Sequence, residues 1–293
     1  MNHDAIVVGI DGSEHALRAV LWGAAEAARR HSSLVLLHAL GYPRHYVGAW
    51  PPSHELRAKL TERGEAALIA ARDAAVEAGA VRVETRLVKE NPPEALIEAS
   101  RTAGMVVLGV SGHDGFLVGL ALGSTAVQTT AHAHCPVVVV RGQDDLPPSP
   151  QAPVVVGVDG SPLSEAALGI AFEEADQREA PLLAVHAWYD TEAIVDVIDV
   201  ARYGTAITAA EIEQVVLAER IAGWSEKYPD VLVRRVVKRD KPRRTLLELS
   251  QSAQLIVVGS RGRGGFAGLL LGSTSQALVQ HAGCPVMVLR QEA

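Results

Sequence analysis

The segment VVGSRGRGGFAGLLLGSTS, Val257–Ser275, combines glycines, arginines and hydroxyls at a spacing that could hold an anion. Its glycines follow the pattern Gly259-x2-Gly262-x9-Gly272, and Ser273 and Thr274 come directly after. Glycines after a strand let backbone N–H groups approach an anion without a Cβ in the way. Gly272-Ser273-Thr274 opens a helical pattern, whose first N–H groups and dipole favour negative charge. Arg261 and Arg263 could neutralise bound phosphates. The chemistry on offer is phosphate capture. A glycine-rich turn before an ordinary Ser/Thr helix cap would read the same way, and the loop alone does not separate the two.

Other phosphate motifs fit less well. No GxxxxGK[ST] string is present, so the chain has no Walker lysine. Gly262–Ala267, GRGGFA, fits GxGxxA, but the dinucleotide fingerprint belongs after the first strand of its fold. Here the match follows a fourth strand, and we treat it as chance.

The decisive observation is that the chain is written twice. AIVVGIDGS at Ala5–Ser13 returns as PVVVGVDGS at Pro153–Ser161, and LALGSTA at Leu120–Ala126 returns as LLLGSTS at Leu269–Ser275. The offset is steady: Asp11 to Asp159 is 148, Cys135 to Cys284 is 149, Gly109 to Gly259 is 150. A period this long marks a duplicated domain. We place domain 1 at residues 1–141, a Pro- and acid-rich linker at 142–152, and domain 2 at 153–293. The first copy carries its own loop, Gly109-x2-Gly112, then ten residues before Gly123-Ser124-Thr125. Two such loops favour binding over an incidental turn.

Asp11 and Asp159 end the first strand of each copy, two residues after Gly9 and Gly157. A carboxylate there could accept from a ribose or an adenine amine, or help hold Mg²⁺. It could equally form an Asx-turn that ends the strand, and both can hold at once. Ala39 and Ala187 end the second strands, where a small residue suits a flat base. His38 and His186, and His132 and His281, also repeat. They form no nucleophile–base set and no repeated metal pattern, since Gly283 replaces His134, so they read as structural. Lys238, Arg239, Lys241, Arg243 and Arg244 read as a solvated surface that could flank the second crevice.

These residues need a scaffold. In the second copy the strand candidates are Val154–Val158, Leu182–Ala187, Val231–Val237, Leu255–Val258 and Val286–Leu289. The first, fourth and fifth are nearly continuous β-branched runs, as in parallel strands covered on both faces. The third carries two arginines, which suits an edge. Helical patterns fill the gaps, with Ser161 as N-cap and Pro162 first in its helix, and Ser13 as cap in the first copy. The expected fold is α/β: two tandem doubly wound, Rossmann-like domains, each a five-stranded parallel sheet ordered 3-2-1-4-5 with helices on both faces. In that order the loops after strands 1 and 4 share one crevice.

Composition narrows the function. The chain has 293 residues and a net charge of −7, with 13 basic and 16 acidic residues in 1–150 and 14 and 18 in 151–293. Neither copy is basic, which argues against nucleic acid as a partner. Two cysteines, with no CxxC, exclude a disulfide scaffold and suit buried thiols in a reducing compartment. With no signal-like N-terminus and no membrane-length apolar run, a cytoplasmic protein without membrane insertion is expected.

With the strand-1 aspartate, the G-x2-G-x9-G-[ST] loop and the closing CPVxVxR strand, all duplicated, the chain resembles the universal stress protein family in its tandem form common in actinobacteria. The resemblance covers about Ala5–Arg141 and Pro153–Arg290. It implies ATP, with Mg²⁺, in each domain. The implied contacts are Asp11, Ala39, Gly109, Gly112, Gly123, Ser124 and Thr125 in the first copy. In the second they are Asp159, Ala187, Gly259, Gly262, Gly272, Ser273 and Thr274. It also implies a homodimer, with the last strands pairing within or between chains. The expected role is a stress-response regulator reading nucleotide for an unknown protein partner, with no catalytic residue assigned. A slow ATPase or phosphoryl transferase, and a scaffold that has lost nucleotide binding, are the alternatives. The first copy departs from the pattern by its extra residue and by His113 and Asp114, so the second site is expected to bind at least as tightly. Gly41–Leu60 and Trp188–Glu211 differ most between copies and are where partner specificity or a lid could reside.

Overall fold

The computed structural model describes residues 5–41, 53–110, 123–141, 149, 151–188, 209–262 and 270–290. They fall into two compact units, Met1–Arg141 and Gly142–Gln291. Most of the proposed linker, and most of the two divergent segments after the second strands, lie outside the described residues.

Domain 1 runs β1 (Ile6–Ile10), α1 (Glu14–Arg29), β2 (Leu34–Ala39), α2 (His54–Glu77), β3 (Val83–Val88), α3 (Pro92–Ala99), β4 (Met105–Gly109), α4 (Ser124–His132) and β5 (Val137–Val140). Its strands are all parallel, in the order β3-β2-β1-β4-β5. Domain 2 repeats the plan with β6 (Val154–Gly157), α5 (Pro162–Gln177), β7 (Leu182–Trp188), α6 (Ala209–Lys227), β8 (Val233–Arg239), α7 (Pro242–Leu249), β9 (Leu255–Gly259), α8 (Ser273–His281) and β10 (Val286–Leu289). Its order is β8-β7-β6-β9-β10, again parallel throughout. Both sheets have the expected 3-2-1-4-5 order.

The apolar runs explain the layering. Val7, Val8, Val106, Val107 and Val138 of domain 1, and Val154–Val156 and Leu255–Val257 of domain 2, are buried. Burying such a side chain contributes about 1.5–3 kcal/mol. Helix α1 packs with α2 and α3 with α4, covering the two faces; α5 with α6 and α7 with α8 repeat this. The arginine-bearing third strands are the outer ones: no residue of β3 or β8 is fully buried, and their charges blunt an edge. Strand β8 starts two residues later than the sequence suggests. Val231 is drawn into the turn after α6, its N–H bonding the Tyr228 carbonyl at 3.3 Å.

Each first helix begins as read. Ser13 and Ser161 cap α1 and α5, accepting from the N–H of Ala16 and of Ser164 at 3.2 Å. Each also buries a glutamate. Glu26 meets Arg30 at 2.5 Å, and Glu174 meets Arg178 at 2.8 Å, so neither buried charge lacks a countercharge.

Candidate functional site

The strand-1 turns are alike in the two domains. Gly12 and Gly160 have φ of +83° and +76°, a left-handed conformation that a side chain would strain. This swings the next residue back onto the aspartate. Asp11 Oδ1 accepts from Ser13 N–H at 2.9 Å and from Ser13 Oγ at 2.6 Å. Asp159 Oδ1 accepts from Ser161 at the same two distances. The Asx-turn reading of both aspartates therefore holds. It occupies one carboxylate oxygen and leaves the question of the other. In domain 2 that oxygen, Asp159 Oδ2, lies where a Cβ on Gly262 would fall, so the strand-1 and strand-4 loops meet there.

The last helices differ from the first ones. Helix α8 starts at Gly272 and α4 at Gly123, and neither has a side-chain cap. The first intrahelical bonds come from Gln276 N–H to Gly272 and from Val127 N–H to Gly123. The preceding N–H groups of each first turn have no intrahelical acceptor, which is the arrangement that favours an anion. Gly272 itself is tied to the strand-4 loop, its N–H donating to the Ser260 carbonyl at 2.8 Å.

These pieces enclose a crevice in each domain. That of domain 2 has a volume of about 510 Å³ and gathers Gly157, Asp159, Ala187, Gly259, Arg261, Gly262, Gly272, Ser273 and Thr274. Of the residues singled out there from sequence, only Arg263 is absent, and it lies outside the described residues. That of domain 1, about 340 Å³, gathers Gly9, Asp11, Ala39, Gly109, Gly123 and Thr125. Ser124 opens α4 but does not line this crevice, and Gly112 lies outside the described residues. Both volumes suit a small ligand.

The sequence reading missed the apolar wall. Pro242 and Leu246 of α7, with Val185 and Val258, line the domain-2 crevice, and Pro92 and Leu96 of α3 do so in domain 1. The signal was available: both third helices open on a proline and place a leucine four residues on. Ser164 and Ser275 also line the domain-2 crevice. The basic run, which the structure starts inside β8 with Lys238 and Arg239, flanks it through Pro242. Its Lys238 and Arg244 each reach Glu248 at 3.0 Å, so much of that charge is spent locally.

The histidines separate. His186 Nδ1 lies 2.7 Å from the Val158 carbonyl and Nε2 lies 3.0 Å from Glu213 of α6. His38 lines the domain-1 crevice, and burial holds its imidazole below the usual histidine range. His132 bonds the Gln128 carbonyl at 3.0 Å. The thiols of Cys135 and Cys284 are pushed up to about 12 by burial, which makes them poor nucleophiles. Among the described residues no cluster of three metal-binding side chains occurs, and no helix is long and apolar enough to cross a membrane.

Residues 2–141 and 152–290 each match the universal stress protein family. A universal stress protein of Mycobacterium tuberculosis is 44% identical over 98% of this chain and 97% of its own length. One from Mycolicibacterium smegmatis is 41% identical over 97% and 96%. The crystal structure of a universal stress protein from Archaeoglobus fulgidus aligns with a TM-score of 0.74 at 20% identity, over 99% of this chain and 97% of that one. The chain belongs to the universal stress protein family, as a tandem two-domain member homologous to those of the mycobacteria.

Proposed function

We propose that each domain binds one ATP in its crevice, and that the chain acts as a stress-response regulator whose loaded state is read by a protein partner. The observation that carries this is the meeting of an uncapped last-helix start, the glycine that ends strand 4 and the strand-1 aspartate in one crevice, twice. The phosphates would lie over Gly259, Gly262 and the first turn of α8, with Arg261 and Arg263 beside them. The adenosine would lie toward Asp159, Ala187 and the wall of Pro242 and Leu246. Domain 1 would use Asp11, Ala39, Gly109, Gly112, Gly123, Ser124 and Thr125. Mg²⁺ would arrive with the triphosphate. Asp159 offers one carboxylate, already shared with Ser161, so phosphate and water must supply the other ligands.

Nucleotide bound to the folded state stabilises it by mass action and can select one arrangement of the loops. Denaturing the purified protein and identifying the released nucleotide by mass spectrometry tests the reading; two ATP per chain are expected. A nucleotide-free protein that takes up none on titration overturns it. Steady phosphate release over many turnovers, abolished by Asp159→Ala, would replace the regulator with an enzyme. A homodimer is part of the same proposal, and sedimentation with and without ATP checks it.

A further inference from the structure

Two buried hydroxyls fasten the loops of the domain-2 crevice, and domain 1 has neither. Ser164 Oγ accepts from the N–H groups of Asp159 and Gly160 at 3.3 and 3.0 Å, and donates to the Ser161 carbonyl at 2.9 Å. One side chain thus holds the whole strand-1 turn. Ser275 Oγ lies 2.8 Å from the Ser260 carbonyl and 2.9 Å from the Gly272 carbonyl. It joins the first turn of α8 to the strand-4 loop, beside the Gly272 bond to the same Ser260 carbonyl. Ser164 is 4% exposed and Ser275 is 2% exposed, so these bonds are made away from competing water.

The counterparts follow from the duplication. Ser161 and Asp159 match Ser13 and Asp11, so Ser164 matches Ala16. Thr274 matches Thr125, so Ser275 matches Ala126. Both alanines are buried and line the domain-1 crevice, with no hydroxyl to make these bonds. The aspartate turn and its serine bonds are repeated, while the Ser164 and Ser275 bonds that add to them are not.

We propose that Ser164 and Ser275 are positioning residues that preorganise the domain-2 site, so that it releases nucleotide more slowly than the domain-1 site. The proposal rests on the nucleotide-binding reading above. A loop already held in its binding geometry loses less conformational freedom when the ligand arrives. The advantage shows in the release rate, where differences between related sites are mostly found.

The full-length chain is loaded with the fluorescent analogue mant-ATP and chased with excess ATP. Two release phases are expected, assigned with Asp11→Ala and Asp159→Ala, each of which silences one site. Ser164→Ala and Ser275→Ala should each speed the slow phase about threefold to tenfold, the worth of one buried hydrogen bond. They should leave the fast phase alone. The converse graft, Ala16→Ser with Ala126→Ser, should slow the fast phase. A purely structural role would lower the unfolding midpoint of the empty protein without giving the grafted site slower release. If both removals leave the slow phase unchanged, or the graft leaves the fast phase unchanged, the proposal falls while the nucleotide reading stands. If the unmodified chain binds no analogue, the nucleotide reading itself falls and takes the proposal with it.

Discussion

The two crevices share the strand-1 aspartate, the strand-4 glycine and the last-helix start on different supports, while Arg261 and Arg263 of domain 2 are matched by Ser111 and His113 in domain 1. Asp11 and Asp159 are held by their serines at matching distances, and both last helices start without a cap. Behind these groups the domains diverge. His15 of domain 1 stands where domain 2 has Leu163, and Ala16 and Ala126 stand where it has Ser164 and Ser275. The domain-2 crevice is the larger, about 510 Å³ against about 340 Å³. The lesson is that a strand-1 turn and a helix start can stay fixed while the side chains packed behind them drift. The predictions below ask how far that drift goes.

The largest contrast is expected at the glycines that end β4 and β9. A Cβ on Gly109 would run into the His15 carbonyl and lie 2.8 Å from the Ala16 N–H nitrogen, both main-chain groups at the start of α1. A Cβ on Gly259 would chiefly meet the Leu163 side chain, at 2.8 and 3.0 Å, with the Arg261 carbonyl oxygen farther off at 3.2 Å. A side chain can rotate away, whereas a helix must slide. Gly109→Ala should cost domain 1 about 3 kcal/mol, and Gly259→Ala should cost domain 2 about 1 kcal/mol. Urea unfolding with the two domain transitions resolved separately gives both values. Equal losses would mean that α1 shifts as easily as Leu163 turns.

The next effect tests the cradles themselves. A Cβ on Gly262 would displace the Asp159 carboxylate, so Gly262→Ala should weaken ATP binding at the second site by more than about tenfold, against 1.4 kcal/mol per decade. Calorimetry should show a smaller loss for Gly112→Ala at the first site, whose loop is one residue longer. A greater loss there would reverse the ranking of the two sites. Arg261→Ala should weaken the second site about threefold to tenfold, because the residue is exposed and its charge is partly screened. That difference should shrink as salt is raised. A loss that ignores salt would point to packing by the arginine stem.

Much of this was legible in the sequence, for identifiable reasons. The duplication fixed which loops pair. The β-branched runs marked the covered strands, and the two arginines of VLVRRVV, Val231–Val237, marked an outer one. The crevice residues were found because glycine, aspartate and the helix-start hydroxyls have backbone roles that composition exposes. The apolar wall was missed because Leu96 and Leu246 look like any core leucine; only the meeting of α3 or α7 with the strand ends makes them a wall. The roles of Ser164 and Ser275 were missed for a related reason. A serine in a helical pattern carries no sign that its hydroxyl reaches back to the turn before it. The two-residue offset between Val231–Val237 and β8 has a local cause: the Tyr228 carbonyl captures Val231 before the sheet can.

The smallest effect concerns the paired histidines at the ends of β2 and β7. Burial holds His38 below its ordinary value of 6.5, against the opposing pull of the Ile10 carbonyl and the Asp11 charge. Above pH 6.5 the imidazole is neutral in both folded and unfolded chains, and it adds no pH dependence. As pH falls through 6.5, the unfolded chain takes up a proton that the folded chain resists, so domain 1 loses stability. The loss levels off once pH is below the depressed folded value. His186 sits differently, bonded to the Val158 carbonyl and to Glu213. The domain-1 unfolding midpoint should therefore drop between pH 7 and pH 5, and His38→Gln should flatten that drop while the domain-2 profile keeps its shape. Since His38 is only partly buried, the expected change is small. An unaltered domain-1 slope in His38→Gln would assign its pH response to other groups and leave the two histidines equivalent.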